Sequence, residues 1–288
     1  MIGKVMRNNS IKISTYNVDD VEVLVSTMKR TSFSFLEAMF INNDISKLHI
    51  LIINQTDAHH QLTSNLSNIR VINSEEKGLS KSRNLAIKNA IKPICVIADD
   101  DVVYLKGFVN TVAQGHCKYP AAGLISFQAK NFSDKPYKTY NNQEREIIKK
   151  RKETPLSSIE VTLKREIIVE NTIFFNELFG LGSYFESGEE DLFLKELLSK
   201  QIIAFHIPKF IVSHADESST SNPASNRFIR ARAAAKYVEY GNLSLLWMLK
   251  FLFFLIRKKH IKASSIIEKY RLGYQAIIDV KKMSNSST

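Results

Sequence analysis

The chain has 288 residues, 44% of them hydrophobic and 24% charged, a balance that excludes a disordered or fibrous protein and fits a soluble globular one. Two cysteines are too few for a disulfide framework or a zinc cluster, and Cys95 and Cys117 read as small core hydrophobes in a strand and a helix. The net charge of +11 is concentrated at one end: residues 227–288 hold 13 Lys and Arg against 3 Asp and Glu, which leaves the preceding residues nearly neutral.

No signal-like apolar stretch opens the chain, so a reducing, cytoplasmic location is expected. The first strand is read at residues 21–26, followed by Thr27 and Arg30, with a short helix at 35–39. A second strand covers 48–53 and ends at Asn54-Gln55-Thr56-Asp57; a third covers 69–72. Gly78-Leu79-Ser80-Lys81-Ser82-Arg83-Asn84 opens a helix, with Ser80 as its expected N-cap, and Pro93 closes it. The apolar run at 94–98 reads as a buried parallel strand. Strands alternating with helices predict an α/β fold with a mainly parallel sheet.

That last strand delivers Asp99, Asp100 and Asp101, and open α/β sheets bind ligands just beyond the carboxyl ends of their strands. Three adjacent carboxylates would repel one another, and Mg²⁺ or Mn²⁺ shared with a substrate's phosphates would relieve the repulsion. Between residues 130 and 170 the hydrophobic pattern weakens and charge thickens, notably at 149–152, predicting an insertion with a mobile, solvated loop. A second acidic cluster follows Gly188: Glu189, Glu190 and Asp191 fall in the first turn of a predicted helix, where its dipole favours acids. A later strand ends in His214.

The chain carries no Walker loop, no GxGxxG after a strand, no GxSxG and no HExxH, which argues against classical NTPase, dinucleotide-dependent and triad-hydrolase chemistry. A metal site at the aspartates plus a separate carboxylate base would instead suit transfer of a sugar from a nucleotide diphosphate to a hydroxyl. Three segments resemble the GT-A-fold glycosyltransferases of the family 2 type, of the kind found in bacterial surface-polysaccharide assembly. They are the strand at 21–27, the pair formed by Gly78-Leu79-Ser80-Lys81-Ser82-Arg83-Asn84 and Asp99-Asp100-Asp101, and Phe179-Gly180-Leu181-Gly182-Ser183 with Gly188-Glu189-Glu190-Asp191.

The resemblance implies a GT-A catalytic domain over 20–222, an N-terminal arm at 1–19 and a basic helical extension at 223–288. It places Thr27, Arg30, Asn54, Asp57, Arg83, Asp99 and Asp100 at a nucleotide-sugar donor. Asp99, Asp101 and His214 would hold Mn²⁺ or Mg²⁺, with Asp101 first among them. For the base, Asp191 and Glu190 rank level and Glu189 third, and the transfer would invert the anomeric carbon. The donor is expected to be a UDP-linked hexose and the acceptor a glycan or polyprenyl-linked hydroxyl. A catalytically silent scaffold and a metal-dependent sugar-phosphate nucleotidyltransferase remain the alternatives.

The tail at 243–256 is strongly apolar and runs into Arg257-Lys258-Lys259-His260. It is too short, and interrupted by Lys250, for a membrane span of about 20 apolar residues. It suits a helix lying in the membrane interface on the cytoplasmic face; a helix docked on the catalytic domain is the other reading. The tail has no nucleic-acid-binding signature, and no nucleic-acid partner is expected.

Overall fold

A computed structural model describes residues 15–148, 156–215 and 222–286. In chain order the elements are β1 (Val21–Met28), α1 (Ser34–Met39), β2 (His49–Gln55), β3 (Ile69–Ser74), α2 (Leu79–Asn89), β4 (Ile94–Asp99), β5 (Val103–Tyr104), α3 (Phe108–Lys118), β6 (Ala122–Asn131), β7 (Arg145–Glu146), β8 (Val161–Lys164), α4 (Arg165–Glu170), α5 (Glu189–Ser199), β9 (Ile203–His214), α6 (Asn226–Tyr240), α7 (Ser244–Arg257) and α8 (Ile266–Ser286). One sheet runs in the order β3-β2-β1-β4-β8-β6-β9-β5, with β7 paired to β9.

Strands β3, β2, β1 and β4 are parallel, as their unbroken apolar runs predict. Side chains alternate between the two faces of the sheet. Val21, Val23 and Val25 pack with α1 and α3 on one side. Leu24, Leu51 and Ile97 pack with α2 and α5 on the other. The register sets Ser26 of β1 beside Asp99 of β4 and Thr27 beside Asn54 of β2, so the carboxyl ends of the parallel strands open on one crevice.

Two sequence expectations are corrected. The stretch at 130–170 is not merely an insertion: β8 lies inside it and fills the centre of the sheet, antiparallel to both β4 and β6. Four residues are too few to show a periodicity, so the strand is invisible before its partners are known. The basic residues 149–152 lie outside the described residues. Ser80 is also not an N-cap. Helix α2 starts two residues earlier, at Leu79, with Gly78 in the N-cap position at φ +117°, and the Ser80 hydroxyl donates instead to the Phe179 carbonyl at 2.6 Å.

Strand β9 runs unbroken through Pro208, because the register skips from Ser126–His206 to Gln128–Phe210. This irregularity absorbs the missing N–H. Helices α6, α7 and α8 pack together at the end of the chain around Ile229, Ala233, Met248, Leu252, Leu255 and Ile277. By length and composition the helical stretch Asn226–Arg257 could cross a membrane. It turns back at Gly241 (φ +58°), however: Lys236 meets Trp247, and Phe228 meets Phe251. Helices α6 and α7 therefore lie antiparallel and do not form one rod.

Candidate active site

A cavity of about 1000 Å³ opens at the carboxyl ends of β1, β2 and β4. Its floor is built around Arg83, which is only 1% exposed. The Arg83 guanidinium donates to Asp99 at 2.9 Å and to Ser158 Oγ at 2.7 Å. It also lies 3.3 Å from Glu189 and 3.8 Å from Glu190. Burial alone would lower its pKa, but the charges of Asp99, Glu190 and Glu189 outweigh that and raise it, so the group is a permanent cation.

Helix α2 holds Arg83 there through the side chains of the Gly78–Asn84 motif. Ser82 donates to Ser26 on β1 at 2.9 Å. Asn84 donates to the Phe175 carbonyl at 2.9 Å and accepts from the Phe175 N–H at 2.8 Å. The Leu79 N–H donates to the Leu181 carbonyl at 2.8 Å. The motif thus ties the parallel half of the sheet to the loop that leads into α5. Gly180 must be glycine: its φ is +105°, and a Cβ there would sit 2.9 Å from Ser80 Oγ.

The three aspartates diverge to three different partners. Asp99 takes Arg83 at 2.9 Å, Asp100 takes Arg30 at 2.7 Å, and Asp101 faces His214 at 3.4 Å. Two of the three carboxylates are therefore neutralised by guanidinium groups of the protein itself. Among the described residues no group of three or more His, Cys, Asp or Glu converges as a ready-made metal cage. Thr27 lies against Asp100 and lines the cavity.

Asp101 and His214 nonetheless pair a carboxylate with an imidazole, two donors that could hold a divalent cation. The His214 Nδ1–H donates to the Ala215 carbonyl at 2.8 Å, which turns the Nε2 lone pair toward the Asp101 carboxylate. Two lone pairs facing each other require a cation between them, either a proton or a metal ion. As the site stands, the carboxylate supports the proton: its hydrogen bond raises the His214 pKa and lowers that of Asp101.

The structure separates the three acids of α5. Glu189 and Glu190 line the cavity. Burial, then the charge of Glu189, pushes the Glu190 carboxyl up to about 8 against the opposing pull of Arg83. Asp191 does not line the cavity; it points to α6, where Arg232 donates to it at 2.7 Å.

Three further sequence candidates do not line the cavity: Arg30, which meets it only through its ion pair with Asp100, Asn54 and Asp57. Asn54 is fully buried, and its amide is consumed by the Arg30 backbone and Asn73. Asp57 sits in an exposed turn against His60 at 2.8 Å. Gln55, the neighbour of Asn54, lines the cavity in their place, joined by Ser26, Tyr137, Lys138, Ser158 and Glu186. Tyr137, Lys138 and Ser158 come from the weakly patterned insertion. Their support is a buried Glu160 that holds Lys138 at 2.7 Å and accepts from the Tyr140 hydroxyl.

A second cavity of about 330 Å³ shares Glu186 with the first. It is walled by Tyr184, Asn226, Arg227 and Arg230, between the loop before α5 and the C-terminal helices.

The sequence model described as glycosyl transferase family 2 matches residues 10–174, the stretch from before β1 through α4. Among solved structures, residues 1–349 of S. aureus TarS align with a TM-score of 0.53 at 13% identity, covering 93% of this chain and 92% of that one. The same protein in complex with UDP-GlcNAc gives 0.58 at 15% identity, covering 90% and 80%; in complex with UDP it gives 0.53 at 14% identity, covering 93% and 92%. At such identities the likeness establishes the fold. No curated protein matches the chain. The family match covers more than half of the residues, and it includes the strands, helix α2 and aspartates that build the cavity, so the chain belongs to glycosyl transferase family 2.

Proposed function

We propose that the protein is an inverting glycosyltransferase that takes a hexose or N-acetylhexosamine from a UDP-sugar and delivers it to a hydroxyl of a glycan or lipid-linked acceptor. One observation carries this reading: Glu190, its carboxyl pushed up to about 8 by burial and the charge of Glu189, lines the same cavity as Asp99, Asp100 and Asp101. Such a carboxylate is a stronger base than an ordinary one and suits deprotonation of an attacking hydroxyl. The binding of UDP-GlcNAc by TarS, which shares the fold, supports a UDP-sugar as donor.

In this reading the nucleotide lies along Thr27 and Gln55, and the diphosphate lies toward Asp101 and His214. A divalent ion held by Asp101 and His214 would neutralise the charge of the departing diphosphate. Arg83 orients Asp99 and keeps Glu189 and Glu190 together on one guanidinium. Glu190 takes the acceptor proton as the hydroxyl oxygen bonds to the anomeric carbon and the bond to the diphosphate oxygen breaks. The acceptor approaches from the second cavity, whose exposed Tyr184 ring and polar wall suit a sugar. Most of the acceleration comes from positioning and fixed charge.

The test is calorimetric titration of UDP and UDP-GlcNAc, with and without Mn²⁺, into the wild type and Asp101→Ala. Binding that Mn²⁺ strengthens in the wild type alone is expected. Absence of UDP binding under every condition would remove the donor assignment.

A further inference from the structure

The outer face of α7 takes no part in the proposed sugar transfer. One side of this helix, carrying Ser244, Met248, Leu252 and Leu255, is buried against α6 and α8. The opposite side carries Leu246, Leu249, Phe253 and Phe254, with Leu246 66% and Phe253 69% exposed. At 100° per residue these four fall on one stripe with Lys250 and Arg257. An isolated exposed leucine means little, but a helix-long apolar stripe marks a contact surface.

Charge decides what the surface contacts. Lys250, Arg257, Lys258, Lys259 and Lys262 are all exposed, and no Asp or Glu occurs between Glu239 and Glu268. A stripe of leucine and phenylalanine on a helix whose charged residues are all cations complements an anionic, apolar-cored surface. Because α7 folds back on α6, it cannot span a bilayer in this fold; it can lie in the plane of one, with Lys250 reaching up to the headgroups.

We infer that the outer face of α7 docks on an anionic lipid surface, inserting Leu246, Leu249, Phe253 and Phe254 among the acyl chains. Arg257, Lys258, Lys259 and Lys262 pair with lipid phosphates. The binding is reversible, and it weakens with salt because part of it is electrostatic.

The experiment is co-sedimentation of the full chain with two vesicle preparations, pure phosphatidylcholine and phosphatidylcholine with phosphatidylglycerol. The variants are Leu246→Asn with Phe253→Asn, and Lys258→Glu with Lys259→Glu. All four positions are exposed, so the fold and UDP binding should persist, checked by circular dichroism and calorimetry. The wild type is expected to pellet with the anionic vesicles only. The charge-reversal variant should bind at least about tenfold more weakly, and the asparagine variant should stay in solution. A wild type that stays in solution overturns the inference. So does binding that the asparagine variant retains, which would indicate a purely electrostatic polyanion surface. A dimer by light scattering that the asparagine variant dissociates, without vesicle binding, would give the face to a second copy. No turnover is required, so this result is independent of the sugar-transfer reading.

Discussion

Asn84 and Phe175 exchange two hydrogen bonds, amide to carbonyl at 2.9 Å and peptide N–H to amide oxygen at 2.8 Å, across 91 residues of sequence. One side chain thereby imitates a strand partner and fixes the peptide that leads into the second acidic cluster. Asn84→Leu leaves both Phe175 groups unpaired in a buried place, and a loss of about 2–3 kcal/mol is expected. Urea unfolding at constant m-value checks it; a loss below about 0.5 kcal/mol would mean that the bridge is incidental.

Arg83 neutralises acids from two separate elements, so its replacement leaves like charges facing one another. Arg83→Met should destabilise the protein by about 3–5 kcal/mol, and Arg83→Lys should recover little, since a single ammonium cannot satisfy Asp99, Ser158 and Glu189 together. The unfolding midpoints of the two variants are the measurement. A lysine variant as stable as the wild type would contradict the argument.

The Glu190 carboxyl, pushed up to about 8 by burial and Glu189, sets a pH dependence. At pH 7 only about a tenth of it is ionised, so kcat/KM should climb from pH 6 and level off above about 8. Glu190→Gln should remove nearly all turnover while leaving UDP binding in place. The stability effect has the opposite sign. A carboxyl with a raised folded-state pKa holds its proton more tightly when folded, so its stabilising contribution is complete below about 4.5 and lost as pH rises through about 8. Glu190→Gln should therefore unfold at higher urea than the wild type at pH 9. A flat rate profile from pH 6 to 9 would remove Glu190 as the base.

Asp191 faces away from the cavity, and its ion pair with Arg232 is partly exposed. Asp191→Asn should cost about 1 kcal/mol or less and leave kcat and KM within a fewfold of the wild type. A kinetic collapse with stability unchanged would reverse the ranking of the two acids.

Gly180→Ala places a side chain at φ +105° and 2.9 Å from a hydroxyl pinned to the Phe179 carbonyl. A loss of about 1–3 kcal/mol is expected, seen as a lower thermal midpoint. The companion change Ser80→Ala should relieve the steric part and leave the backbone part.

What the sequence made legible was local. The aspartate triplet ends a strand, the Gly78–Asn84 motif opens a helix, and the acids after Gly188 begin another. Each lies within a dozen residues of its own context, so chain order exposes it. What stayed hidden depends on register. Nothing in the sequence tells that Asp99, Asp100 and Asp101 fan out to Arg83, Arg30 and His214, or that one helical residue of difference turns Asp191 from the cavity toward α6. Tyr137, Lys138 and Ser158 reach the cavity from a segment without periodicity, so only the fold could reveal them.

Strand β8 carries a consequence for how the molecule is made. When β4 has left the ribosome, four parallel strands can assemble, but the free edge of β4, with Cys95 and Val96, has no partner until Leu163 and Thr162 emerge. At about 5–20 residues per second, the intervening stretch of about 60 residues takes roughly 3–12 s to synthesise. During that interval the nascent chain displays an apolar strand edge that other chains can pair with. Recovery of folded protein should thus respond to translation speed and chaperone supply more than to the stability of the finished fold.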